Sequence, residues 1–318
     1  MNRAVITGAT GMLGIALLKQ LIKQNIEVLA VVNPNSPRKS KVPISRLISI
    51  EECELSQLPS LAERISSEYD TFYHFAWMGT FGDSRNDVYL QNLNVKYTFD
   101  AVQLASMIGC NMFVGAGSQA EYGRVSCKLS PDTSANPDSG YGIAKYAAGK
   151  LSAIYAQKLG IKHVWARVLS VYGPHDWGKT MVMSSILKLL SKQRPQYTKA
   201  EQIWDYLYCD DAARAFYLIG EKGRNGAVYC LGSGQAQPLS NFITEMRNEI
   251  DPFLELGLGE LEYSPNQVMY LSADISSLTN DTGFLPRISF KEGIRKTIKW
   301  CKEEINSDNK YDEIKGKL

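Results

Sequence analysis

Short, almost wholly apolar runs alternate with longer segments of helical period through the first 170 residues. The runs are "RAVITG" (3–8), "EVLAVV" (27–32), "TFYHFA" (71–76), "NMFVGA" (111–116) and "HVWARVL" (163–169). Strands apolar on both faces belong to a parallel sheet covered by helices on either side. Helical spacing fills the gaps between them. "MLGIALLKQLIKQ" (12–24) puts Leu13, Leu17, Leu18 and Leu21 on one face, and longer helical patterns cover 92–109 and 141–160. The pattern predicts an α/β chain with a doubly wound parallel sheet.

After Leu169 the rhythm loosens. "TMVMSSILKLLSKQ" predicts a helix ending before Pro195, and "WDYLYCDDAARAFYLIG" a short strand running into a helix. Turn signals such as "GSG" and "LPR" then point to a smaller C-terminal lobe. The expected division is the α/β sheet domain over 1–170 plus 205–230, a smaller lobe over 171–204 and 231–300, and a charged tail over 301–318.

Composition removes several classes of function. A chain of 318 residues with a formal charge of +2 and no basic block offers no nucleic-acid surface. Six cysteines without a C-x-x-C pair suit reduced thiols in a cytoplasm, with no disulfide frame and no metal site expected. No run reaches the ~18 apolar residues of a membrane span. The first strand begins almost at Met1, so neither a membrane segment nor a signal peptide is expected.

"TGATGMLG" places Gly8, Gly11 and Gly14 between the first strand and its helix. A dinucleotide pyrophosphate needs a tight turn, close backbone approach and close helix–strand packing, and the three glycines supply one each. Thr10, Met12 and Leu13 of the same turn count as cofactor contacts. At the end of the second strand, where a carboxylate would hold a ribose 2′-OH, stands Asn33, followed by Asn35, Ser36, Arg38 and Lys39. No acid there repels a 2′-phosphate, and the two cations can pair with one. NADP(H) is therefore favoured over NAD(H), against the alternative of a solvated basic loop.

"YGIAK" puts Tyr141 and Lys145 on one helical face, and Ser118 ends an apolar strand. A phenol ionising near pH 10 needs a neighbouring cation to act as a base at neutrality. Lys145 is the expected one, with Ser118 orienting the same substrate oxygen. Alone, a Tyr-Lys pair reads as ordinary helix surface. Beside the glycine turn and Ser118 it reads as a hydride-transfer site.

"TGATGMLG", "SQAEYG", "YGIAK", "RVLSVYGP" and "WDYLYCDDAARA" follow the order and spacing of the extended short-chain dehydrogenase/reductases. The chain resembles their NAD-dependent epimerase/dehydratase family, which acts on nucleotide-activated sugars, and the likeness extends to "LSADISSLTNDTGFLPRISFKEGI". The resemblance implies Ser118, Tyr141 and Lys145 as catalytic residues, with the sugar nucleotide between the Rossmann-like domain and the lobe. It implies that Asn94 supports the cofactor site, and that Phe75 and Ala76 line the cofactor groove. Family 4,6-dehydratases carry Asp-Glu after the catalytic Thr, where this chain has Gln119 and Ala120. The fucose-synthase type pairs a cysteine with a histidine; His175 matches the histidine as a possible substrate contact, but Ala120 takes the cysteine's place.

Two reactions remain. One is NADPH-dependent reduction of a nucleotide-linked 4-keto-6-deoxysugar; the other is 4-epimerisation with retained NAD+. At the nucleotide end, Ser170 replaces a usual Asn and Trp204 a usual Arg, while Trp77 is expected to shape the sugar pocket and Arg287 is a candidate cation. A different class, a non-catalytic NADP(H)-binding protein, is disfavoured by the intact Ser118, Tyr141 and Lys145. The resemblance also implies a homodimer through helices 92–109 and 141–160.

Overall fold

The computed structural model describes residues 1–176 and 180–307. Its frame is a seven-stranded sheet. In chain order the strands are β1 (Arg3–Thr7), β2 (Glu27–Val32), β3 (Ile48–Glu52), β4 (Thr71–His74), β5 (Met112–Ser118), β6 (Lys162–Val168), β7 (Ser170–Tyr172), β8 (Ile203–Trp204), β9 (Tyr206–Tyr208), β10 (Val228–Leu231) and β11 (Gln237–Pro238). The main sheet runs β10-β6-β5-β4-β1-β2-β3 and every pairing in it is parallel. Strand order reverses between β1 and β4. A crevice outside the carboxyl ends of those two strands is where such sheets take ligands.

The helices are α1 (Met12–Lys23), α2 (Val88–Met107), α3 (Gly140–Lys158), α4 (Met181–Leu190), α5 (Cys209–Lys222), α6 (Leu239–Ile250), α7 (Ser276–Thr282) and α8 (Phe290–Ser307). α1 packs with α5 on one face of the sheet and α2 with α3 on the other. Alternate β1 residues divide accordingly: Ala4 and Ile6 join the cluster with Leu17 and Phe216, while Val5 joins the one with Ala101 and Leu104.

Several elements depart from the sequence expectation. α2 starts at Val88 instead of 92, because the Asp87 carboxylate accepts the N–H groups of Tyr89 and Leu90 as an N-cap. β3 lies at the sheet edge with none of its residues fully buried, so its apolar signature is weak. The charged tail expected from 301 is part of α8 as far as Ser307; residues 308–318 fall outside the described ones. Ile294, Ile298 and Cys301 form one buried stripe on α8 and share a core cluster with Leu17 and Ile6, so α8 and the sheet share one core there.

The approach of α3 to the sheet is set by one tryptophan lying against three glycines. Trp165 of β6 packs where side chains at Gly115 and Gly117 of β5 would stand, and a Cβ at Gly149 of α3 would come within 2.7 Å of its ring. Gly142 meets the Ala120 carbonyl just as closely at the other end. Gly149→Ala is therefore expected to lower stability by about 1–3 kcal/mol through overpacking, although alanine gains ~1 kcal/mol of helix propensity. A lower urea midpoint would bear this out; a raised one would contradict it.

Candidate active site and cofactor cleft

Gly8 has φ +73°, and a Cβ there would sit 2.7 Å from the Ala76 nitrogen and 2.8 Å from the Phe75 carbonyl carbon. The β1–α1 turn thus presses directly on the backbone that follows β4. Gly14 lets α1 lie on the same turn, since its Cβ would meet the Ala9 Cα at 2.7 Å. Gly11 caps α1 with no side-chain hydrogen bond, leaving the first N–H groups of the helix open. A cleft of about 440 Å³ follows, lined by Thr10, Gly11, Asn33, Ser36, Arg38, Phe75, Ala76 and Trp77 among others. No carboxylate among the described residues lines it. A turn that only glycine fits and a helix N-terminus facing a cleft suit a dinucleotide.

The loop after β2 is tied to the turn. Ser36 Oγ donates to Thr10 Oγ1 (3.2 Å), and Asn33 Oδ1 accepts from the Asn35 N–H (2.7 Å). Lys39 departs from the sequence expectation, because its ammonium pairs with Glu52 at the end of β3 (2.7 Å). Arg38 is the cation that lines the cleft. Met12 instead lines a second hollow with Lys19, His175 and Cys209. Leu13 packs against the apolar core as a partly buried residue.

Ser118, Tyr141 and Lys145 come together at the carboxyl end of β5. The Ser118 hydroxyl lies near the Tyr141 phenol and eases its ionisation. Lys145 lies one helical turn on, and its Nζ donates to the Ala116 carbonyl at 2.7 Å. The same ammonium stands 3.7 Å above the Trp77 ring and 5.9 Å from the centroid of Tyr141. Burial pushes Lys145 down to about 7. Tyr141 is raised above its ordinary value, chiefly by burial, with the Ser118 hydroxyl and Arg85 pulling it back. The expectation that Lys145 lowers Tyr141 is corrected: the ammonium is turned toward Ala116 and Trp77. The cation nearest the phenol ring is Arg85, 4.2 Å from its centroid and brought in by the 82–86 turn. No spacing rule in the sequence marked it.

Asn94 acts one step behind the cleft. It is buried, its Oδ1 accepts the Met78 N–H and its Nδ2 donates to the Met78 carbonyl, both at 2.9 Å. Its amide therefore holds the loop that carries Trp77 and Met78. Trp77 donates to Gln91 (2.9 Å) and meets Tyr141 edge-on at 6.0 Å, so it stands between the cleft and Tyr141.

A model of the NAD dependent epimerase/dehydratase family matches residues 4–232. The chain belongs to this family. A dTDP-glucose 4,6-dehydratase of Escherichia coli is 28% identical over 180 residues, a stretch that spans about half (49%) of that relative. A CDP-abequose synthase of Salmonella typhimurium is 23% identical over 93% of this chain and 97% of its own. Among solved structures, a UDP-N-acetylglucosamine 4-epimerase from Methanobrevibacter ruminantium superposes with a TM-score of 0.86 at 20% identity, covering 95% of this chain and 99% of that one. The protein is thus an enzyme of the extended short-chain dehydrogenase/reductase type, from a family of NAD-dependent nucleotide-sugar epimerases and dehydratases.

Within this family fold the substrate-side residues separate into two groups. Ser170 and Trp204, read separately from the sequence as altered nucleotide contacts, bond each other: Trp204 Nε1 donates to Ser170 Oγ at 2.8 Å. Trp204 also packs against the cluster of Tyr122, Leu169 and Leu271. The neighbouring Asp205 is fully buried, accepting from the Ser233 and Gly234 N–H groups at 2.7 and 2.9 Å, and it ties β8 and β9 to the turn after β10. His175 was expected at the substrate. It lies instead in the second hollow, against Trp300 of α8 (5.1 Å), where burial and Lys19 push it down to about 4. The positive φ of His175 (69°) turns it out of the strand direction toward α8. Arg287 lines a third cleft with Tyr206, Ser233 and Gln237.

Proposed function

We propose that this enzyme reduces the 4-keto group of a nucleotide-linked deoxysugar, using NADPH. The observation that carries the reading is the loop end of the cofactor cleft, where Arg38 and Ser36 stand and no carboxylate among the described residues lines the walls. Gly8, Gly11, Gly14, Ser36 and Arg38 would hold the dinucleotide, which supplies the hydride when bound. Ser118 orients the sugar carbonyl and Tyr141 donates the proton that completes the hydroxyl. A phenol held above its usual pKa is a proton donor at neutrality, which suits reduction better than alcohol oxidation.

Elimination chemistry has little support beside Ser118, although several relatives are named dTDP-glucose 4,6-dehydratases. Gln119 and Ala120 supply no acid–base pair, and the Glu121 carboxylate is buried against Ser118, Trp165 and Arg167. Comparing kcat/KM for NADPH and NADH tests the reading. A clear NADPH preference is expected, and equal use or an NADH preference would sink it. Tightly held NAD+ with isomerisation of a nucleotide sugar would favour the 4-epimerase instead.

We also infer a homodimer working in the cytoplasm. Tyr89 and Leu93 of α2 and Ile143, Leu151 and Ile154 of α3 are exposed large apolar side chains on two helices that pack together. The buried free thiols suit a reducing compartment. Sedimentation is expected to give twice the chain mass; a pure monomer would contradict the assembly.

A further inference from the structure

Glu121 lies directly beneath the catalytic serine, 1% exposed, and no step given above uses it. Its two oxygens are fully engaged. Oε1 accepts the Ser118 main-chain N–H (2.8 Å) and the Trp165 indole N–H (2.9 Å), and Oε2 accepts from Arg167 Nε (2.7 Å). Ser118 Oγ in turn accepts the Ala120 N–H (3.2 Å), so Ser118 and Glu121 brace each other as a capping box at the end of β5. Arg167 is itself buried, with its guanidinium 4.3 Å from the Tyr122 ring centroid. A buried ion pair adds little stability over an apolar replacement of the same volume. What this pair provides is a fixed acceptor for one main-chain N–H, that of the serine beside Tyr141.

We propose that Glu121 is a positioning residue for the reaction: clamped by Trp165 and Arg167, its carboxylate holds the Ser118 main chain in line with Tyr141 and keeps a negative charge behind the phenol. The role rests on Ser118 and Tyr141 being the proton-transfer pair. The other titratable groups around the carboxylate are Tyr122 beside it, Tyr141, Lys145, Tyr146 and Lys150 of α3, His163 of β6 and Cys230 of β10. Toward Tyr141 the charge favours the neutral phenol, and toward Lys145 the ammonium. Removing the charge therefore moves both titrations toward lower pH.

Glu121→Gln keeps an acceptor for the Ser118 N–H and removes the charge. In the folded variant kcat is expected to fall about tenfold with the sugar KM little changed, the pattern of an interaction made in the transition state. The alkaline limb of the kcat profile is expected to move toward lower pH, a change that a purely structural loss would not cause. An unchanged enzyme, or a lower kcat with an unmoved limb, overturns the proposal. If the single variant leaves Arg167 unpaired and does not fold, Glu121→Gln with Arg167→Gln supplies a neutral pair. The same limb shift is then expected, and a wild-type limb overturns the role. Should wild type isomerise a nucleotide sugar instead of consuming NADPH, the variants are read on the isomerisation rate. Loss of the reductase reading therefore leaves this test standing.

Discussion

Tyr141→Phe is expected to lower turnover by about 10³-fold, within the roughly 10²–10⁴-fold that a positioned proton donor supplies. The ring should stay in place. Trp77 holds it edge-on at 6.0 Å and Arg85 lies 4.2 Å from its centroid, and both contacts survive loss of the hydroxyl. What disappears is the hydroxyl beside Ser118. The cofactor cleft is lined by other residues, so NADPH affinity, measured by fluorescence titration, is expected to stay near wild type. pH enters with a definite sign. Burial raises Tyr141, so less of it than usual is phenolate near neutrality, and reduction, which needs the phenol, holds its rate there. Alcohol oxidation needs the phenolate and should gain as pH rises. A Tyr141→Phe enzyme with full activity would remove Tyr141 from the chemistry.

Arg38→Ala should cost NADPH about 100-fold in kcat/KM and leave NADH nearly unchanged. A hydrogen bond to a charged group contributes about 1.5–3 kcal/mol, or roughly 10–150-fold. Lys39 is engaged with Glu52, which leaves Arg38 as the cation lining this cleft. Its main chain is anchored, because the Arg38 N–H donates to Ser36 Oγ (3.3 Å) and Ser36 Oγ donates to Thr10 in the glycine turn. The side chain is exposed, so the effect should weaken as ionic strength rises. Equal losses for the two cofactors would show that Arg38 holds the loop and does not read a 2′-phosphate.

The sheet was legible because its central strands are buried on both faces and so are apolar throughout. β3 escaped detection because an edge strand needs no such run, and α8 because its stripe of Ile294, Ile298 and Cys301 is interrupted by charged residues facing water. Local chemistry was also readable. The glycine turn and the Tyr-Lys spacing are short-range features, fixed by backbone sterics and helical pitch. Features that depend on distant contacts were not. Arg85 over Tyr141, Asn94 on the Met78 backbone and Ser170 on Trp204 join segments whose approach the sequence does not show. Glu121 stands in the sequence as a carboxylate directly after Ala120. Its purpose appears only with Arg167 and Trp165, 46 and 44 residues away. His175 beside Trp300 is another such contact.

The most direct test mixes purified protein and NADPH with a panel of nucleotide-linked 4-keto-6-deoxysugars and follows loss of the reduced-nicotinamide absorbance. Stoichiometric consumption with one sugar, yielding its 4-hydroxy product, is the expected result. No net consumption, with NAD+ already bound and a nucleotide sugar isomerised at C4, would contradict it.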